Sequence, residues 1–149
     1  PDGLLLAAAS AEQINVWAIR NSTESVATFE LAGVNQLTFS ENGYHLVAAA
    51  GNSVDLFDLR KLKCTGSLSV GAAAGAPVSA ISIDSSGSYL GMGFANGNIA
   101  LATMKPLKLL MGLPSTLSHS KSVSALHFGG NDARVIMSAS LDRSIRIFK

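Results

Sequence analysis

Three side chains in the last quarter of the chain have the types needed for acyl transfer: His119, Ser138 and Asp142. A histidine held between a carboxylate and a hydroxyl can take the hydroxyl proton and turn a serine into a nucleophile. Two residues to either side of Ser138 stand Ile136 and Ser140, where a nucleophile elbow would have glycines. The same three types also make a purely structural relay, in which the carboxylate orients the imidazole and the imidazole bonds the hydroxyl. A hydrolase and a turn-fixing network are thus the two readings, and the repeat pattern below favours the second.

No other constellation carries chemistry. His45 and His127 are distant from each other and lack the neighbouring Cys or acidic spacing of a metal site. Both alternate with apolar residues, which predicts strand faces with a solvent-facing or locally bonded imidazole. Gly91-Met92-Gly93-Phe94-Ala95-Asn96-Gly97 looks like a dinucleotide loop, but its third glycine falls one place late and no helix follows. A glycine-bearing hairpin is the expected structure. We therefore expect no catalytic residue, no metal and no cofactor. Arg60, Lys61 and Lys63 form the one cationic cluster, which reads as a solvated loop or as a contact for a phosphate or an acidic partner. Cys64 stands alone and is given no redox role, and Asn21-Ser22-Thr23 fits a glycosylation acceptor.

These residues sit in 149 residues that are 48% hydrophobic and only 14% charged. That balance excludes a disordered tail, because enough apolar side chain is available to offset the entropy of ordering. Apolar runs such as Leu4 to Ala9 fall far short of the roughly 20 residues of a spanning helix. Eleven Lys+Arg against ten Asp+Glu give a formal charge of +1, so there is no electrostatic footprint for nucleic acid or anionic lipid. One cysteine excludes an internal disulfide framework. The opening Pro1-Asp2-Gly3 is a turn signal without a leader, which reads as a chain starting partway through a fold.

The elements that must position these side chains come in repeats. An apolar residue, a short polar turn and an apolar strand recur at Pro1-Asp2-Gly3, at Phe39 to Tyr44, at Ile83 to Tyr89 and at Phe128 to Ala133. Gly3, Gly43 and Gly87 are 40 and 44 residues apart, and Asp132 follows 45 later. Gly3 to Trp17 and Gly43 to Phe57 share an offset of 14. This period fits WD-type propeller blades of four strands. Val34 to Phe39, Val78 to Ile83 and Val123 to Phe128 alternate as strands do. Gly51-Asn52 and Asn96-Gly97 mark tight hairpins. The stretch Leu107 to Leu113, between Pro106 and Pro114, is too short for a helix and reads as a strand.

The expected architecture is all-β: 14 strands, or about three and a half four-stranded blades of a propeller. The units are a partial blade at 1–33, blades at 34–77 and 78–121, and a final partial blade at 122–149. Small residues dominate the second strand of each unit, as in Ala48-Ala49-Ala50 and Gly91-Met92-Gly93, which we ascribe to the convergence of neighbouring blades, where bulky side chains would clash. An isolated half-ring would leave two sheet faces open. Loops between successive blades share one face with each second-to-third-strand turn. A partner-binding rim is expected there, with Glu12, Gln13, Asn35, Asn52, Asn96, Asn98, Lys121 and Arg143 as candidates. The side-chain-poor loop from Gly71 to Pro77 is expected to be mobile.

In a WD blade the His, Ser, Asp and Trp positions form a hydrogen-bond chain, and His119, Ser138, Asp142 and Phe148 occupy them here. Phe148 has no N–H, so the chain should stop at Ser138. Beyond the class, Thr38-Phe39-Ser40-Glu41-Asn42-Gly43-Tyr44-His45-Leu46 and Ser53 through Lys63 resemble the C-terminal propeller of the pre-mRNA-processing factor 19 family. So do Gln13-Ile14-Asn15-Val16-Trp17 and Leu141 through Arg146, with Leu68 to Ser118 divergent. The resemblance implies a nuclear, spliceosome-associated U-box ubiquitin ligase. It implies a seven-bladed propeller, of which these would be about half the blades, that recruits spliceosomal proteins and ubiquitination substrates, and a coiled coil that makes a homotetramer. Neither a U-box nor heptads occur in these residues, so ligase activity would belong to the parent protein. A nuclear protein would leave the Asn21 acceptor unused. The function read from the sequence is an interaction scaffold, with a WD adaptor of another complex or a propeller hydrolase as alternatives.

Overall fold

The computed structural model describes residues 3–21, 24–71, 75–113, 115–129 and 135–149. Ser22 and Thr23 of the acceptor pattern, the middle of the 71–77 loop, and Asp132 of the fourth turn lie outside them. Among the described residues there are 14 strands. They are β1 (Leu5–Ala9), β2 (Gln13–Ala18), β3 (Ser25–Glu30), β4 (Val34–Phe39), β5 (His45–Ala50), β6 (Ser53–Asp58) and β7 (Lys63–Ser69). Then come β8 (Val78–Ile83), β9 (Tyr89–Phe94), β10 (Ile99–Met104), β11 (Leu107–Gly112), β12 (Val123–Gly129), β13 (Val135–Ser140) and β14 (Ile145–Phe148). No described helix is long and apolar enough to cross a membrane.

The strands pair only with their sequence neighbours, always antiparallel, in four sheets: β1-β2-β3, β4-β5-β6-β7, β8-β9-β10-β11 and β12-β13-β14. Short turns favour that pairing, and the three anchors within the described residues are glycines with positive φ: Gly3 at 69°, Gly43 at 70° and Gly87 at 69°. At the second anchor the Gly43 N–H donates to the Ser40 carbonyl, and the Ser40 hydroxyl donates to Asn42 Oδ1. At the third the same backbone bond recurs, Gly87 N–H to the Asp84 carbonyl, and the buried Asp84 carboxylate also accepts the N–H groups of Ser86, Ser88 and Tyr89.

Three apolar layers lie between the four sheets. Ile14, Val16 and Phe29 pack on Leu46, Ala48 and Phe57, with the Phe29 and Phe57 ring centroids 4.5 Å apart. Val47, Val54 and Leu56 pack on Ile81, Leu90 and Met92, and Ala80 and Ile99 on Val123, Leu126 and Phe128. The inner strands β4, β8 and β12 are consecutive neighbours. Each carries a bulge at its second residue, Asn35, Ser79 and Ser124. Such a bulge re-aims one side chain, and two of the three reach the next inner strand: Asn35 Nδ2 donates to the Val78 carbonyl at 2.6 Å and the Ser79 hydroxyl to the Val123 carbonyl at 2.6 Å.

The small residues of β9 stand where the neighbouring sheet converges on it, as expected: a Cβ on Gly91 would lie 2.7 Å from Leu126 Cδ2 on β12. One expectation needs correction. His45 is not solvent-facing: it is buried at the start of β5.

Candidate functional site

The relay begins with its carboxylate. Asp142 opens the β13–β14 turn, where its Oδ1 accepts the Ser144 N–H at 2.9 Å and the Ser144 hydroxyl at 2.6 Å. Its Oδ2 accepts the Ser120 N–H at 3.1 Å and faces His119 Nδ1 at 2.9 Å. These donors, the Ser144 hydroxyl foremost, hold the Asp142 carboxyl well below the usual carboxylate range. An anionic Asp142 makes Nδ1 the protonated nitrogen, so Nε2 is left to accept the Ser138 hydroxyl at 2.7 Å. Ser144 Oγ also lies 3.1 Å from Nδ1. This residue was missed from the sequence, although Asp-x-Ser across a tight turn is the signal of such a contact.

The distances are those of a charge-stabilised triad, yet the setting is wrong for one. His119 is 3% and Ser138 2% exposed, so the hydroxyl cannot meet a substrate carbonyl. What the relay does instead is tie the loop before β12 to the β13–β14 turn. Leu141 N–H to the Ser122 carbonyl and the Ser140 hydroxyl to the Lys121 carbonyl close the same gap. On the preceding sheet Gly97, φ 89°, is pressed against that loop: a Cβ there would lie 2.0 Å from the His119 carbonyl oxygen.

The candidate rim residues share the end of the sheets that holds these turns. Glu12 and Gln13 lie at the β1–β2 turn, Asn52 at β5–β6, Asn96 and Asn98 at β9–β10, and Arg143 at β13–β14. Lys121 is exposed in the loop before β12. Arg143 holds φ at 69°, a left-handed conformation that fixes its turn. Several of these residues serve the framework. Asn98 Oδ1 accepts the Ser118 hydroxyl at 2.9 Å, and the Asn52 and Glu12 carbonyls accept Val70 and Leu31 N–H groups.

The basic loop stands at the opposite end of the strands, in the β6–β7 hairpin. Asp58 Oδ2 receives Arg60 Nη2 at 3.2 Å, and Oδ1 accepts the Arg60 and Lys61 N–H groups. The Arg60 side chain, then its backbone N–H, lowers the Asp58 pKa to about 2. Lys63 and Cys64 begin β7 and are exposed, and Cys64 Sγ lies 3.4 Å from the Gly66 carbonyl. His127 is exposed on β12. Among the described residues no three His, Cys, Asp or Glu side chains are grouped as metal ligands would be.

Antiparallel sheets stacked face to face on converging inner strands, with this His-Ser-Asp relay in the last sheet, define blades of a WD-repeat β-propeller. The WD domain, G-beta repeat family matches residues 112–149. The chain is similar along nearly all its length to pre-mRNA-processing factor 19: 36% identical over 99% of the chain to the protein of that name in Oryza sativa subsp. japonica, and 35% over 99% to homolog 2 in Arabidopsis thaliana. The Dictyostelium discoideum protein is 37% identical over 64% of the chain. The chain spans 28% of the length of the two plant relatives and 20% of the third.

Proposed function

We propose that this chain is part of the partner-recruiting propeller of a nuclear, pre-mRNA-processing factor 19-like protein that acts in splicing. The observation that supports it is similarity running along 99% of the chain, well beyond the general repeat at 112–149. A rigid stack of sheets suits recognition by shape and polar contact, with no bond made or broken. Glu12, Gln13, Asn35, Asn52, Asn96, Asn98, Lys121 and Arg143 would present the contacting surface. The His119 relay would hold that surface in register. Ubiquitin transfer by a U-box and tetramerisation by a coiled coil belong to the same proposal, through segments of the parent protein. Burial of Ser138 weighs against the hydrolase reading.

The test is complementation of a splicing extract depleted of its own factor, using the full-length parent protein. Lys121→Glu with Arg143→Glu should leave the protein folded, lower its co-purification with spliceosomal complexes and reduce splicing. Unchanged association and splicing would overturn the reading.

A further inference from the structure

The hairpin ends of the two middle sheets enclose a cleft that the loop-face reading leaves unused. A cavity of about 480 Å³ is lined by Arg60 and Lys61 from the β6–β7 hairpin and by Lys105 from the β10–β11 hairpin, between Leu56 and Met104. A second cavity of about 310 Å³ shares Lys105 and reaches Ser86, Ser88 and Thr103. Lys105 is 44 residues from Lys61 in sequence, and only the stacking of the sheets joins them. Gly66 permits the approach, since a Cβ there would already stand 3.1 Å from Leu107 Cβ.

The charge in this cleft is unbalanced. Three cations face one lining carboxylate, Asp58, and Asp58 is committed to Arg60 and to two backbone N–H groups. That contact also fixes Arg60, whose guanidinium lies 4.5 Å from the centre of the Tyr44 ring. Among the described residues neither Lys61 nor Lys105 has a carboxylate within ion-pair distance. His45 on the wall adds no charge at neutral pH, because burial, then Lys105, lowers its pKa. A preordered guanidinium and two unpaired ammonium groups around a concave space are the elements of an oxyanion site.

We propose that this cleft binds an acidic peptide segment of a partner protein, with a side-chain oxyanion among Arg60, Lys61 and Lys105 and the peptide continuing toward Ser86 and Ser88. A peptide fits better than a nucleic acid, because the cations are confined to one cleft and do not form the track a phosphate backbone requires. The oxyanion is a glutamate or aspartate carboxylate or a phosphoserine phosphate. The site is at the far end of the strands from Lys121 and Arg143, so its failure and that of the loop face are separable.

Fluorescence anisotropy on the full chain tests it with four labelled probes: a glycine-serine peptide bearing three glutamates, its one-phosphoserine counterpart, its glutamine counterpart and an oligouridylate. One or both acidic peptides should bind, and whichever is tighter identifies the oxyanion. Lys61→Glu and Lys105→Glu should each weaken that binding about tenfold or more, Lys105→Gln by less, and Arg143→Glu should leave it unchanged. Thermal melts of the exposed-site variants should match the parent chain. Equal binding of the glutamine peptide, tighter binding of the oligouridylate, or indifference to both lysine reversals in folded protein would overturn the proposal.

Discussion

Gly93 on β9 lies so close to Val123 on β12 that a Cβ there would stand 2.5 Å from Val123 Cγ1 and 2.7 Å from Val123 Cβ. The third and fourth sheets meet at this point without room for a methyl group. Gly93→Ala should therefore destabilise the chain by ~1–3 kcal/mol, the cost of overpacking a filled core. Val123→Ala alone should also destabilise it, by opening a cavity. The double variant should lose less than the two single losses together, since Val123→Ala removes the closest contact, to Cγ1, and leaves only the approach to Cβ. Chemical denaturation of the four proteins measures this, and strict additivity would show that the sheets can part freely.

The His119 relay is expected to act on stability. His119→Ala leaves the Ser138 hydroxyl and the Asp142 carboxylate short of a partner, and a buried unsatisfied polar group costs ~1–3 kcal/mol. Ser144→Ala, which removes one donor to Asp142 and one neighbour of Nδ1, should show a smaller loss in the same thermal melt. Ester hydrolysis that vanishes in a folded Ser138→Ala variant would instead establish a nucleophile.

Acid should weaken the fold through the hairpin and turn carboxylates. Asp58 and Asp142 both have folded-state pKa values below those of the unfolded chain. Each contribution is thus complete above the ordinary carboxylate value, about 4, and is lost as pH falls through the folded value. For Asp58 that window runs from about 4 down to about 2. Asp58→Asn should flatten the fall in denaturation midpoint across this range, and an unchanged slope would remove Asp58 from the account.

The two outermost sheets should drive self-association. The register places Trp17 opposite Leu6 as it places Phe57 opposite Leu46. Yet Phe57 is buried against the first sheet, while Leu6, Ala8 and Trp17 line an open apolar hollow. On the last sheet Ile145 corresponds in register to the fully buried Val54, and is 74% exposed. Ile147→Lys with Ile145→Lys should lower the sedimentation-detected association of the chain and leave its melting temperature nearly unchanged. Association that persists undiminished would place the contact elsewhere.

Much of the fold was legible before any coordinates. The glycine anchors at 3, 43 and 87 spelled turns that need positive φ, and the alternation at Val34, Val78 and Val123 spelled strands. His119, Ser138 and Asp142 were legible as a set because their spacing is repeat-specific. The bulges at Asn35, Ser79 and Ser124 were not, since nothing in their local composition separates a bulged residue from a paired one. The burial of His45 was not legible either: its neighbour Tyr44 is exposed, and the cleft His45 lines is walled by two sheets, with Leu56 and Asp58 from one and Met104 and Lys105 from the other.

The sequence alone determined the succession of strands, their hairpin pairing and the relay within the last sheet. Each of these depends on hydrogen bonds between residues a turn or a repeat apart, and spacing encodes such bonds directly. Tertiary structure decided which side chains press on Gly91 and Gly93, which apolar faces stay open, and that Lys105 joins the basic hairpin. Those outcomes come from twisted sheets interlocking face to face, where the neighbour of a side chain is set by packing depth and not by distance along the chain.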